Sequence, residues 1–209
     1  MPRPRFAKLP EDKRHRILEA AASEFADFGY SGASLNRIID AAGISKGAAY
    51  YYFDDKADLF AAVLAHGWDA LLPQTAIEVG TLDRASFWPT LEHAYADIVR
   101  RIREQPWLVA IGQLLYRRPL SPESARLVEA EFAGVRRWLE ALVLRGQTLG
   151  VIRRDVPADL LLVVLMAALE AADRWVIDHP ETLDGRTERE VAPHLFEMLR
   201  RLVEPGGAR

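Results

Sequence analysis

Residues 33–53 contain the pattern that most limits what this chain can fold into, because they form two short helical segments joined by a tight turn. Gly43 stands where the first segment must end, a position that suits a residue tolerating positive φ. Ser45 opens the second segment, since a serine hydroxyl can accept hydrogen bonds from the free amides of a first helical turn. Two helices joined in this way predict a helix-turn-helix, whose second helix can enter a DNA major groove.

The rest of the chain also has helical periodicity. Apolar residues recur at three- and four-residue steps, and the sequence has neither an alternating strand pattern nor an internal repeat. We therefore expect an all-α protein of about nine helices. A flexible basic arm is predicted at residues 1–10, a three-helix helix-turn-helix domain at 11–56, a larger helical domain at 57–203 and a disordered tail at 204–209.

Charge and composition narrow the classes of function. The net charge of the 209 residues is −3, but residues 1–18 carry six basic residues against two acidic ones. A basic segment on a mildly acidic chain fits DNA contact by one end, and a solvated tail is the alternative. There is no cysteine, which excludes disulfides and a thiolate nucleophile. The longest apolar run, residues 160–169, is too short to span a bilayer, so we expect a cytoplasmic protein without a membrane partner.

A set of spaced residues within residues 12–62 extends the helix-turn-helix pattern. The set comprises Ile38, residues 42–47, Tyr50, Tyr52, Phe53, Lys56, Leu59 and Phe60. At these spacings it resembles the DNA-binding signature of the tetracycline-repressor (TetR) family of regulators. The resemblance implies a homodimeric repressor that binds a pseudo-palindromic operator through its reading helices and responds to a small molecule in its C-terminal domain. A constitutive helix-turn-helix protein without an effector is the alternative.

Helical phase divides the second short helix into an inner and an outer face. Each residue advances about 100°, so the side chains cannot all face a groove. Ala49 and Phe53 are predicted to face inward, and Lys46, Ala48 and Tyr51 are candidates for base edges.

Phosphate contacts are assigned partly by the resemblance, which gives that role to Tyr50 and Lys56. Ser34 opens the preceding helix, where a hydroxyl and free amides suit a phosphate. Taken singly, the tyrosine could be a core aromatic and the lysine a solvated charge. The predicted DNA-binding residues are Ser34, Ser45, Lys46, Ala48, Tyr50, Tyr51 and Lys56.

Two features depart from the family pattern. Ala48 and Ala49 stand where the family often has threonine and leucine, which leaves a methyl at position 48 that could touch thymine. Asp54, Asp55 and Asp58 surround Lys56, and carboxylates near phosphate weaken binding. The salt dependence of DNA binding is therefore expected to be modest.

The last two helices carry a dimerisation signal. The helix that begins at Pro157 is apolar on nearly all sides over residues 160–169, so two of its faces must be covered. Pairing across a two-fold axis is one solution, and burial within one subunit is the other. The predicted interface residues are Leu161, Leu165, Leu169, Val191, Leu195, Met198 and Leu202.

Aromatic residues concentrate in the C-terminal part, as in apolar ligand pockets that hold a few polar groups. An ordinary core and interface would use the same residues. The resemblance favours sensing of an apolar or aromatic effector, for which the candidate residues are Tyr95, Trp107, Tyr116, Phe132, Trp138, Met166, Glu170 and Arg174.

Enzyme and metal chemistry have weaker support. Residues 43–47 fit G-x-S-x-G, the nucleophile elbow of α/β hydrolases, but a strand must precede that serine, and here a helix pattern precedes Ser45. The histidines lack the close paired spacing of zinc or iron sites, so no metal and no cofactor is expected. These dispersed histidines are His15, His66, His93, His179 and His194.

Overall fold

A computed structural model describes residues 4–71, 77–116, 120–179 and 187–206 of the chain, and for residues 187–190 it describes the helical backbone alone. Within these ranges the structure holds ten α-helices and one 3-10 turn, and it has no strand, which confirms the predicted all-α fold class. The helices are α1 (Pro4–Ala7), α2 (Glu11–Gly32), α3 (Leu35–Ala42), α4 (Lys46–Tyr52), α5 (Lys56–Leu71), α6 (Phe87–Glu104), α7 (Pro106–Tyr116), α8 (Pro122–Leu149), α9 (Ala158–Asp178) and α10 (Thr187–Val203).

The chain divides into two compact units. Unit 1 comprises residues 1–71 and 105–132, and unit 2 comprises residues 72–104 and 133–209. The sequence predicted a boundary after residue 56 instead. The difference arises because α5 and α7 pack against α2 and contribute core residues to unit 1.

Unit 1 is built around α2. Its buried stripe includes Ile17, Leu18 and Phe25, which are at most 2% exposed. The helix is interrupted at Gly29, where φ is +68° and ψ is 169°, a conformation open to glycine because it has no Cβ. The interruption accompanies the burial of Tyr30, whose ring lies 5.0 Å from that of Phe60.

The N-terminal residues depart from the predicted flexible arm. Residues 4–7 form α1, and Phe6 on it is only 5% exposed. Its ring centroid lies 4.7 Å from that of Phe53, so an aromatic contact fastens this segment to the core. The contact was not predicted from the sequence because three prolines in the first ten residues obscured the helical pattern.

Unit 2 has its own core, in which Phe87 of α6, Leu142 and Val143 of α8, and Leu161 of α9 are buried together. The helix α10 packs against α6 and α9. Val203, at the end of α10, is buried. Of the predicted disordered tail, residues 207–209 lie outside the described residues. No helix in the described ranges is long and apolar enough to cross a membrane.

Candidate nucleic-acid interface

The helix α3 is fixed at both of its ends. At the start, the Ser34 hydroxyl accepts a hydrogen bond from the Arg37 backbone amide at 3.5 Å. At the end, Gly43 takes a left-handed conformation with φ of +64°, and the next amide, that of Ile44, bonds back to the Ile39 carbonyl. This turn reverses the chain as the sequence predicted, because glycine adopts positive φ without the Cβ penalty.

The helix α4 follows directly, and its start is capped by Ser45. The Ser45 hydroxyl accepts from the Ala48 amide at 3.2 Å. Ala49 and Phe53 are each 2% exposed, so the predicted inward face is the buried face. The cap and this buried pair fix the rotation of α4 about its axis, which determines which side chains face outward.

The outward face of α4 carries the side chains predicted to contact DNA. Lys46 is exposed, Tyr50 is 48% exposed and Tyr51 is 47% exposed, whereas Ala48 is half-buried. Tyr52 is half-buried and packs against the core of unit 1. A cationic group and two hydroxyl-bearing rings on one exposed helix are suited to phosphate and base contacts.

The Lys56 ammonium is engaged within the protein, whereas a lysine that contacts phosphate was expected to have its ammonium free. Its ammonium donates to the carbonyls of Ser31 and Ala33, at 3.3 Å each, and lies 4.8 Å from the centroid of the Tyr30 ring. An ammonium has three donors, so at most one is left for a phosphate. The structure therefore gives Lys56 the role of closing the connection between α2 and α3.

A buried carboxylate that sequence analysis did not single out stabilises the same connection. Glu24 is only 8% exposed, and its Oε1 accepts from the Ser34 amide and from Arg37 Nε, each at 2.8 Å. The Arg37 guanidinium also donates to the Gly32 carbonyl at 3.0 Å and lies over the Phe28 ring at 4.2 Å. The available signal was the position of Glu24 on the buried stripe of α2, between Ala21 and Phe25.

The ionisation of Glu24 follows from these contacts. Burial raises the pKa of the carboxyl, but the hydrogen bonds from Arg37 and Ser34 and the charge of Arg37 outweigh it, so the pKa lies below its ordinary value. The carboxylate is consequently ionised at neutral pH and draws the end of α2 and the start of α3 together.

The surroundings of Ser45 differ from those of a hydrolase nucleophile. A nucleophile elbow places its serine between a strand and a helix. Here α3 and the Gly43 turn precede Ser45, its hydroxyl caps α4, and the described ranges contain no strand. The G-x-S-x-G match is therefore the capped turn of a helix-turn-helix.

The eight predicted ligand residues are divided between the two units. Unit 1 holds Trp107, Tyr116 and Phe132. Trp107 is buried with its ring stacked 4.7 Å from that of His66, and Phe132 meets the Trp68 ring edge-on at 4.6 Å. Unit 2 holds Tyr95, Trp138, Met166, Glu170 and Arg174.

Within unit 2, the predicted polar ligand groups are on the outside. Glu170 and Arg174 pair with each other at 2.9 Å, and each side chain is more than half exposed. By contrast, the Tyr95 ring lies 5.9 Å from that of Phe196, and burial, aided by the charge of Asp173, raises the pKa of its hydroxyl. Trp138 donates to the Ile77 carbonyl at 3.3 Å, and Met166 is half-buried. The helical phase of α9 explains the difference, because positions 170 and 174 fall on its outer face.

The predicted dimer residues differ in their exposure within the single chain. Leu161 is 4% exposed and lies in the core of unit 2, and Leu165 and Leu169 are half-buried. The exposed large apolar residues of α9 are Leu160, Val163, Val164 and Trp175. On α10, Met198 is 65% and Leu202 is 42% exposed, whereas Val191 and Leu195 are half-buried. We call the six exposed residues Leu160, Val163, Val164, Trp175, Met198 and Leu202 the apolar stripe.

Two histidines that are distant in the sequence meet in unit 1. His15 Nδ1 and His66 Nε2 are 3.0 Å apart, and His15 Nε2 lies 3.2 Å from Glu19. Burial and the neighbouring His15 lower the pKa of His66. No cluster of three or more metal-binding side chains is found in the described part of the chain.

A paired α3–turn–α4 with a buried inner face and a polar, cationic outer face defines a helix-turn-helix regulator. Comparisons with known proteins identify the family. Residues 17–63 match the bacterial regulatory proteins of the tetR family. The HTH-type transcriptional repressor SCO4008 of Streptomyces coelicolor is 31% identical over 193 residues, which cover 84% of this chain and 83% of that protein. The chain belongs to the tetR family.

Solved structures agree with this assignment. A TetR family transcriptional regulator from Chloroflexus aurantiacus superposes with a TM-score of 0.64 and 27% identity, over 99% of this chain and 100% of that one. The transcriptional regulator FadR from Bacillus subtilis, solved in complex with stearoyl-CoA, superposes with a TM-score of 0.72 and 16% identity. The superposition covers 88% of this chain and 96% of the FadR chain. The second likeness concerns the fold alone.

Replacing the buried carboxylate tests the connection between α2 and α3. Glu24→Gln is expected to lower the free energy of unfolding by about 1–3 kcal/mol at pH 7, since it removes the charge that Arg37 pairs with. Because the pKa of Glu24 is lower in the folded than in the unfolded chain, its contribution is complete above the ordinary value of 4.5 and is lost as the pH falls through the folded pKa.

Urea unfolding followed by circular dichroism, repeated from pH 7 to pH 3, measures this difference. Glu129→Gln on the exposed side of α8 is the matched control and should behave as wild type. A Glu24→Gln deficit that stayed constant or grew towards pH 3 would contradict the assigned role of the charge.

Proposed function

We propose that this protein is a transcriptional repressor that binds a pseudo-palindromic operator as a homodimer and is released by a small apolar or aromatic molecule. The observation that carries the proposal is the fixed rotation of α4, with Ala49 and Phe53 buried and Lys46, Tyr50 and Tyr51 outward. The family member SCO4008, which is 31% identical to this chain, is a repressor, and this supports repression as the effect on transcription. Acting on DNA, such a regulator is expected in the cytoplasm.

In the proposed complex, α4 lies in the major groove. Lys46, Ala48 and Tyr51 face base edges, and Tyr50 contacts a phosphate. Ser34 contributes a hydroxyl at the start of α3, where the free amides favour an anion. The Ser45 hydroxyl accepts from the Ala48 amide but keeps its own O–H to donate to a phosphate, and Lys56 has at most one donor to offer.

The acidic residues after α4 fit a modest salt dependence. Asp55 Oδ1 accepts from the Asp58 amide at 2.9 Å, and Asp58 Oδ2 accepts from the Asp54 amide at 3.2 Å, so these carboxylates serve the start of α5. Their charge remains close to Lys56 and reduces the net number of phosphates neutralised.

The apolar stripe supports pairing through α9 and α10. Exposed Leu160, Val163 and Val164 stand at three- and four-residue spacing, and Met198 and Leu202 continue the pattern on α10. α9 and α10 pack against each other, and large exposed apolar side chains grouped on neighbouring helices mark an interaction surface more often than isolated ones. A two-fold axis through these residues would form a four-helix interface and bring two copies of α4 into one assembly.

Release by an effector is supported by the aromatic content of the chain and by the fold it shares with FadR, which was solved with stearoyl-CoA. An effector can act only through different affinities for the DNA-bound and free states. DNA and effector must then weaken each other's binding by the same factor.

Removing the outward side chains of α4 tests the reading helix. Lys46→Ala combined with Tyr50→Ala should weaken binding to a selected operator roughly 100-fold, about 1.4 kcal/mol per contact, without lowering helicity or dimer mass. Fluorescence anisotropy on DNA fragments selected from a random pool measures the affinity. Arg136→Ala, at an exposed basic position on α8, is the control expected to bind as wild type. Wild-type affinity in the double variant would refute the assignment.

Charging the apolar stripe tests the dimer. Val163→Glu together with Met198→Glu should convert a dimer into a monomer at micromolar concentration, because each carboxylate would be buried without a partner. Sedimentation velocity gives the mass. Ala130→Glu, on the exposed side of α8 in unit 1, should leave the dimer intact. A wild-type chain that sediments as a monomer would remove the two-fold mechanism.

An effector screen separates a ligand-responsive repressor from a constitutive DNA-binding protein. Fatty acids, acyl-CoA thioesters and aromatic compounds are titrated against the protein–operator complex. At least one compound is expected to weaken DNA binding fivefold or more, a typical coupling of about 1 kcal/mol, and operator DNA should weaken its binding equally. If every compound that binds leaves the DNA affinity unchanged, the constitutive alternative is favoured.

A further inference from the structure

The short helix α1 is docked beside the reading helix. Phe6 on α1 packs with its ring centroid 4.7 Å from Phe53 and 6.0 Å from Tyr52, both at the end of α4. The Arg14 guanidinium donates to the carbonyl of Ala7 at 3.2 Å, which ties the end of α1 to α2. These contacts make α1 a fixed part of unit 1 next to the face that the proposed function assigns to DNA.

Arg5 on α1 reaches the outward face of α4. Its guanidinium carbon lies 4.5 Å from the centroid of the Tyr51 ring, within the range of a cation–π contact. Both residues are exposed, with Tyr51 at 47%. The guanidinium lies over the ring, so the contact restricts an aromatic side chain that would otherwise rotate in solvent.

The Tyr51 ring has a second aromatic neighbour. The Tyr52 ring meets it edge-on with centroids 5.5 Å apart and planes at 75°. Tyr52 is itself half-buried against the core of unit 1. Tyr51 is therefore in contact with Arg5 and with an anchored ring, and a side chain held in place before binding loses less conformational entropy when DNA arrives.

We propose that Arg5 is a positioning residue of the DNA interface, which holds the Tyr51 ring in the orientation that reads the groove. The inference rests on the proposed function, and it extends the interface from α3 and α4 to α1. A direct contact between Arg5 and phosphate is the competing role, and so is a non-specific effect of its positive charge. Each of these roles makes a different prediction for variants of residues 5, 8 and 51.

The experiment measures the affinity of the full-length protein for its selected operator and for a scrambled duplex at one salt concentration. Arg5→Gln and Lys8→Gln form a matched pair, because each removes one positive charge from an exposed residue. The two positions are three residues apart. Both variants are made in the wild-type and Tyr51→Ala backgrounds. Thermal unfolding of every variant reports whether the substitution has merely destabilised unit 1.

Arg5→Gln is expected to lower operator affinity about three- to fivefold more than Lys8→Gln, the range that a surface cation–π contact supports. The two variants should lower the affinity for the scrambled duplex equally. In the Tyr51→Ala background the excess loss should disappear, since the ring that Arg5 positions is gone. Arg5→Lys, which retains a cation near the ring, should recover part of the operator affinity.

Three results overturn the inference. Equal losses for Arg5→Gln and Lys8→Gln on the operator leave only a charge effect, and an excess loss that persists with Tyr51→Ala assigns Arg5 to DNA directly. An excess loss accompanied by a matching fall in unfolding temperature makes the contact structural. These outcomes leave the proposed function standing, whereas a wild-type protein that selects no DNA removes the proposed function and the inference with it.

Discussion

The helix-turn-helix depends on one buried charge, the Glu24 carboxylate. It accepts from the Ser34 amide and from Arg37, so it joins α2 to the first turn of α3. Lys56 closes the same connection from α5 through the carbonyls of Ser31 and Ala33. A buried charge is costly without partners. Burial of this carboxylate therefore requires that Arg37 and the Ser34 amide lie within hydrogen-bonding distance of it. The place of α3 on the core follows from that requirement.

The place of α4 follows from that of α3. Gly43 and Ser45 set the turn, and burial of Ala49 and Phe53 sets the rotation of α4. Helix α4 is only seven residues long and is too short to be stable alone. The orientation of its outward face is therefore determined by its packing. The contacts of α1 with Phe53 and Tyr51 add to that packing from a segment outside the helix-turn-helix itself.

Local signals made the fold class and the buried and exposed faces of α4 predictable from sequence. Caps, a turn glycine and apolar periodicity gave the all-α fold, and helical phase gave the buried side of α4. Long-range contacts were not predictable: the pairing of His15 with His66 joins α2 to α5, and Phe6 reaches the core across 47 residues of chain from Phe53. Leu161 illustrates a third limit. In a helix that is apolar all round, the sequence does not say which face the core takes, and the core took Leu161 and left Leu160 exposed.

The central claim is that two α4 helices read adjacent major grooves on one face of the duplex. Methylation-interference footprinting of the wild-type protein on its selected operator tests this most directly. Two clusters of major-groove guanines are expected, related by a two-fold axis and with their centres one helical turn, roughly 10 base pairs, apart. A single cluster, or interference confined to minor-groove adenines, would contradict it.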